Sequence, residues 1–336
     1  MANEKIYEIS VLGRTIWSLH SLSNEGTVGN VTEPRTIMLA DGTKTDGISG
    51  EMLKHVHVEN MWALETDKNK FCNMCKTLRA ERADGNEEVK KKTNAEEAIE
   101  EAIKCELCDI HGFLIQRPPA TRESTVEFGW AVGIPEIKRD IHVHARHSVQ
   151  GVTPDEIKEK RNWEGNRCSA SDCKTLESES DLFRVGRRWY CQDHIPTAQM
   201  IYHRPTRSGV YAIVSVFQPW RIGLNNVNFN YEVDDEERKS RYQLTLRAYQ
   251  AMFLRTEGAM TTTRLPHTEN FEGVIVVSKT NYPAPVISPL RNDYIDQVKK
   301  INTALGGNNF EIIEFSSISE FVEKIEGLIS RDPYKI

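Results

Sequence analysis

Apolar residues at Ile6, Ile9, Val11, Ile16 and Trp17 alternate loosely with polar ones and predict a buried strand over 4–17. Residues 18–46 are rich in Gly, Asn, Pro and Thr and read as a long loop. Met52, Val56 and either Glu59 or Asn60 recur at helical spacing and predict a helix over 50–64, with Ser49 as its N-cap. Short strands follow at 113–115, 126–132 and 141–145, with turns at Pro118-Pro119 and Gly133. The run 210–217 is the strongest strand. Residues 235–257 form a long amphipathic helix, with Tyr249 and Phe253 one turn apart, and 274–278 another strand. A helix at 294–305, a strand at 311–315 and a helix at 319–329 close the pattern.

Two polar segments interrupt this order. Residues 66–109 hold a Cys pair, the charged run 87–92, an Ala/Glu-rich helix over 94–104 and a second Cys pair, and they read as a solvated insertion. Residues 151–197 hold the other three cysteines. With both set aside, the order is strand, helix, strands, helix, strand, which fits an α+β, ferredoxin-like βαββαβ core over 1–65, 110–150 and 198–336.

Seven cysteines at short spacings favour metal ligation over a disulfide framework. Cys72-x2-Cys75 and Cys105-x2-Cys108 are 29 residues apart, and each pair can hold two corners of a tetrahedron. Cys168-x4-Cys173 is followed after 17 residues by Cys191-x2-His194, with a hairpin over 183–191 turned at Gly186-Arg187. Four protein ligands close each site, so the expectation is two structural zinc ions and no catalytic metal; buried free thiols or a redox pair are the alternatives.

Composition narrows the class. Among 336 residues 39% are hydrophobic and 27% charged, ordinary for a globular chain of about two domains. The longest apolar run, 210–217, is far short of the ~18 residues that span a bilayer, and the first residues hold no apolar signal core, so no membrane contact and a cytoplasmic location are expected. The net charge of -6 argues against a nonspecific nucleic-acid coat protein. Yet 183–231 carries Arg184, Arg187, Arg188, Arg204, Arg207 and Arg221 against Asp193 alone, a net of +5 that leaves -11 elsewhere. This segment could face an anion or simply be a solvated face.

Two loops have phosphate-binding chemistry. Asn24, Gly26, Gly29 and Asn30 lie in the stretch NEGTVGN, where glycines permit close backbone approach, and Arg35 follows. The helix after Ser49 presents Lys54 and His55 in its first turns, beside free N–H groups. His142, His144 and Arg146 alternate onto one strand face while His147 points away. The bland alternatives are a ligand-free turn, a capped helix and solvent-bonded histidines. No nucleophile elbow, Walker loop or HExxH occurs.

NEGTVGN with Arg35, GISGEMLKH, DIHGFL, FGWAV, IHVHARHS, QMIYHRPTRSGVYAIVSV, GAMTTTRLP and PAPVISPLRNDYID together resemble the Cas-seven (DevR/Csa) family, the repeated backbone subunit of type I CRISPR surveillance (Cascade) complexes. The likeness covers most of the chain outside the two cysteine segments and rests on the order of many short motifs. It implies a modified RNA-recognition-motif palm with finger and thumb extensions. Such a subunit binds guide RNA, polymerises with copies of itself and other Cascade subunits, and leaves bases free to pair with target DNA. Carried over, the loop Asn24 to Asn30, Arg35, Ser49, Lys54 and His55 would hold the RNA backbone, joined by His142, His144 and Arg146. The thumb would be the hairpin of Met200, Tyr202, Arg204 and Arg207, with Met200 or Tyr202 as its wedge, and Arg264 would reach RNA from the turn containing Gly258 and Ala259. The two cysteine segments are departures from the simplest members. Two rivals remain: a type III-like RNA-cleaving relative using Asp41 or Asp46, and a zinc-containing DNA-binding regulator, for which no short basic recognition helix is evident.

Overall fold

Successive residues of one long strand serve two cores. On β1 (Glu8–His20), Ile9 and Val11 pack into the main core, while Leu12 belongs to a smaller core on the opposite face. The computed structural model describes residues 4–28, 30–147, 157–161, 167–170, 173, 182–185, 188–194 and 199–336. The remaining principal elements are β2 (Thr36–Met38), β3 (Lys44–Ile48), α1 (Gly50–Leu64), β4 (Ala131–Gly133), β5 (Gln199–Phe217), α2 (Asp235–Leu254), β6 (His267–Ser278), α3 (Tyr294–Ala304), β7 (Phe310–Phe315) and α4 (Ile318–Ile329).

The chain divides into two units. The first comprises 1–25, 34–140 and 206–336. Its sheet runs β7-β6-β1-β5-β4-β3-β2, antiparallel throughout, with β1 paired from Ile9↔Phe217 to His20↔Arg207. The last long strand thus neighbours the first, and the first neighbours β5. On β6, Phe271, Ile275 and Val277 face the main core with α1, α2 and α4, whereas Val274 and Val276 face α3. Burial on both faces explains why this strand reads as a continuous apolar run.

The expected loop over 18–46 is largely strand: Asn24–Val28 and Val31–Pro34 form ladders in addition to β2 and β3. Most of their residues are exposed or half-buried, so no apolar alternation marked them.

Residues 66–109 differ from the expected solvated insertion. The helix Ala95–Ile103 buries Ala98, Ile99, Ala102 and Ile103, and these join Cys75, Cys105, Cys108 and Leu107 in the main core. Behind it, Asp109 is fully buried and paired with Arg122 and with Arg241 of α2 at 2.8 Å. The Gly223 N–H also donates to both oxygens of this carboxylate, and the two guanidiniums tie the segment to α2.

The second unit comprises 26–33 and 141–205. It contains the ladder Ile157–Arg161, Leu182–Val185 and Arg188–Cys191, with Leu182 opposite Cys191. The expected turn at Gly186-Arg187 lies outside the described residues.

Candidate nucleic-acid interface and metal-ligand clusters

In the first unit, two of the motifs meet. The N–H of Ala259 donates to the Leu22 carbonyl at 2.9 Å, and the Asn24 amide reaches the Met260 sulfur at 3.4 Å. Ser21 Oγ donates to Asn24 Oδ1 at 3.2 Å, fixing the amide. A Cβ on Gly258 would lie 2.9 Å from the Leu22 carbonyl oxygen, so glycine permits this approach. Arg264 is buried beside this turn and donates to Thr263 Oγ1 at 3.3 Å. Arg35 pairs with Glu25 at 3.0 Å and lies 5.8 Å from the ring of Trp130, an exposed indole.

Ser49 is buried and accepts from the Met52 N–H at 3.3 Å, so its hydroxyl orders the start of α1. His55 is exposed and pairs with Glu59 one turn on, at 3.1 Å. Lys54 turns into a cavity of about 730 Å³ that it shares with Arg82, His111 and Arg122. Burial, reinforced by the charge of Arg82, pushes its ammonium down to about 8.

In the second unit, Tyr202 stacks on His144 with ring centroids 5.3 Å apart and planes 10° from parallel. The Arg204 guanidinium lies 4.7 Å from the same tyrosine ring, as two residues of one strand face allow. The His203 N–H donates to the Asn30 carbonyl at 2.7 Å, joining the glycine loop to the Tyr202 strand. Gly26 has φ +146° with open space around it, a conformation L side chains avoid. His142 is exposed. Gly29 and the side chains of Arg146 and Met200 lie outside the described residues.

The two acidic residues of the cleavage rival have other roles. Asp46 is buried among Arg207 at 3.2 Å, Tyr211 Oη at 3.0 Å and Arg139 at 3.6 Å. Burial raises its pKa, and Arg207 opposes the rise. Asp41 is exposed and accepts from the Thr43 N–H at 2.9 Å in a turn.

The cysteines gather in two sets. Ligand atoms of Cys72, Cys75, Cys105 and Cys108 lie within 4.8 Å of one another, as do those of Cys168, Cys173, Cys191 and His194. With metal–sulfur bonds of about 2.3 Å, a tetrahedral site has sulfur–sulfur edges of about 3.8 Å. Observed separations are 3.9 Å for Cys72–Cys108, 3.6 Å for Cys75–Cys108 and 3.8 Å for Cys173–Cys191. These are metal-edge distances, well beyond a disulfide bond of about 2.0 Å. Hydrogen bonding within the first set pulls Cys72 down and pushes Cys75 and Cys108 up from the ordinary thiol range. The Cys191 N–H also donates to Cys168 Sγ at 3.5 Å. Both sets therefore fit a tetrahedral metal ion.

Sequence reading missed Arg82 and Trp130. Arg82 sits in a charged stretch with no local sign of its cavity, and Trp130 offered only an aromatic flanked by Gly129 in the FGWAV motif.

The sequence profile described as "CRISPR-associated negative auto-regulator DevR/Csa2" matches residues 11–166 and 183–299. Among solved structures, the chain is similar to one described as "CRISPR RNA-guided surveillance complex, pre-nicking", with 11% identity, 88% of this chain and 87% of that chain covered, and a TM-score of 0.44. A second, "CRISPR RNA-guided surveillance complex", gives 11% identity, coverage of 96% and 98%, and a TM-score of 0.45. No curated protein matches.

Proposed function

The chain belongs to the CRISPR-associated DevR/Csa2 family, and from that premise we propose that it is a non-catalytic backbone subunit of a type I CRISPR surveillance complex. It polymerises along guide RNA with copies of itself and other Cascade subunits, and presents the guide for pairing with target DNA. The antiparallel sheet with β6 beside β1 and β1 beside β5 supports a core of RNA-recognition-motif type over 1–65, 110–150 and 198–336, with 66–109 and 151–197 as its zinc-binding insertions. The observation that carries the reading is the meeting of the Asn24 loop with the Gly258 to Arg264 turn, two motifs far apart in sequence that hydrogen-bond to one another. Asn24 and Arg35 hold RNA phosphates at that meeting, and Lys54 and His55 hold them from the first turns of α1; Ser49 acts by ordering the helix, and Arg264 by supporting the turn.

Tyr202, His144 and Arg204, with Gly26, Gly29, Asn30, His142, Arg146 and Met200, form the second contact surface and the thumb wedge. Zinc at the two cysteine sets is structural, since all four positions of each are protein ligands. Asp46 is already engaged by Arg207 and Tyr211, which favours the non-catalytic reading over RNA cleavage. Among the described residues no helix is long and apolar enough to cross a membrane, and the cytoplasm is the proposed location.

Salt-dependent binding of single-stranded RNA tests this. Replacing Arg35 and Lys54 together by Ala should flatten the log–log slope by about 1.4, at about 0.7 per phosphate contact. An unchanged slope contradicts the assignment.

A further inference from the structure

Lys54 has no hydrogen-bond or ion-pair partner among the described residues, although it lines the 730 Å³ cavity and is half-buried there. Arg82 lines the same cavity from the four-cysteine segment. Its Nη1 donates to the carbonyls of His111 and Gly112 at 2.8 and 2.9 Å, which leaves Nε and Nη2 uncommitted among the described residues. The residue sits at φ +45°, a conformation that costs a non-glycine residue and persists where surrounding contacts impose it. Consecutive turns link it to the cysteine set: Leu78 N to Cys75 O at 3.1 Å, Arg79 N to Met74 O at 3.0 Å, and Arg82 N to Arg79 O at 3.3 Å.

The third cation, Arg122, is spent on Asp109 and on the Leu224 and Arg221 carbonyls. Glu81, Asp84 and Glu123 also line the cavity. Glu123 is 87% exposed, and Asp84 accepts from the Gln116 N–H at 2.8 Å. Burial acts most strongly on Lys54; the charge of Arg82 also opposes its protonation, and that of Glu127 favours it.

His111 has a fixed tautomer. His57 Nε2 donates to the Thr245 carbonyl at 3.1 Å, so its Nδ1 accepts from His111 Nε2 at 3.2 Å. Burial, with the charges of His57, Arg82 and Lys54, holds the His111 imidazole well below its ordinary pKa, so the ring is neutral and adds no charge of its own. Two neighbouring cations, one desolvated and one with half its fork unused, make an environment that an anion would relieve.

We propose that Lys54 and Arg82 together bind one phosphate of a single-stranded RNA backbone, so that the four-cysteine segment contributes directly to the RNA surface. This rests on the guide-RNA reading above and assigns it a residue outside the motifs that carry the family likeness. The ammonium supplies a point charge, and the free edge of the guanidinium supplies directed donors to the phosphate oxygens.

The test is RNA affinity against salt for the full chain and for Lys54→Ala, Arg82→Ala, Arg82→Lys and Lys90→Ala, the last being an exposed lysine paired with Glu87. The first two should each flatten the log–log slope by about 0.7, whereas Arg82→Lys keeps most of it and Lys90→Ala leaves it unchanged. In the unaltered protein, RNA should raise the titration midpoint of the Lys54 ¹⁵N-labelled amine. A wild-type slope for Arg82→Ala overturns the proposal. So does loss as complete in Arg82→Lys as in Arg82→Ala, which would make Arg82 only a tie to the two carbonyls, and so does a Lys54 midpoint that RNA does not move. If Arg35→Ala alone flattens the slope, the guide-RNA reading stands and this subsite falls. If the unaltered protein binds no RNA, both fall.

Discussion

The Asp46 carboxylate accepts from the Arg207 guanidinium at 3.2 Å, with both side chains fully buried. Removing one partner of such a pair strands the other charge, so Asp46→Ala should cost about 3–5 kcal/mol in denaturant unfolding. Asp41→Ala, at an exposed turn, should cost less than about 1 kcal/mol. Neither variant should differ from wild type in cutting guide-paired RNA. Cleavage that disappears in either would favour the type III-like reading.

The two metal sites should respond differently to mutation. Cys75, Cys105 and Cys108 lie in the main core, whereas Cys168 and Cys191 share a small cluster with Leu182. Elemental analysis should find two zinc ions per chain and one after either Cys75→Ser or Cys191→Ser. Cys75→Ser should also lower the main unfolding transition, while Cys191→Ser should expose amides only within the second unit. One mutation that empties both sites would contradict this scheme.

Acid should destabilise the chain through two buried histidines. Burial pushes His20 and His57 down to about 3 from an ordinary 6.5. The unfolded chain takes up these protons below pH 6.5 and the folded chain does not, so this contribution is present above 6.5. It is lost as pH falls toward 3, at about 1.4 kcal/mol per pH unit for each ring. Urea midpoints at pH 7 and pH 5 measure the loss. A folded-state NMR titration of either ring near 6.5 would contradict it.

Lys54 should make RNA binding sensitive to alkali. Its midpoint near 8 means that the free protein loses this charge as pH rises from 7 to 9. Affinity should fall over that interval in wild type and stay flatter in Lys54→Arg, whose charge persists. Equal pH dependence in the two proteins would remove Lys54 from the interface.

Tyr202→Ala removes the ring that His144 and Arg204 share. If this stack meets RNA bases, the loss should be about 1–3 kcal/mol of binding free energy, with Tyr202→Phe nearly neutral. Filter binding with the two variants separates the outcomes, and equal affinity for both contradicts a stacking role.

Features with a local signature were legible in the sequence. Helical spacing and Ser49 marked α1 at its observed bounds, and paired cysteines at short spacing marked both ligand sets. The strands within 18–46 escaped because exposed strands bury no alternating face. In Ala95–Ile103 the stripe of Ala98, Ile99, Ala102 and Ile103 was overshadowed by four glutamates, so a buried helix looked solvated. Lys54 and Arg82 meet only because the four-cysteine segment folds back onto α1, and no spacing along the chain encodes that contact.

The nucleic acid that co-purifies with the chain in its native complex tests the central claim most directly. Sequencing after separate RNase and DNase treatment should show one population of guide RNA, lost to RNase and unaffected by DNase. A heterogeneous ladder of DNA, or a complex free of RNA, would contradict a guide-binding backbone subunit and return the chain to the regulator reading.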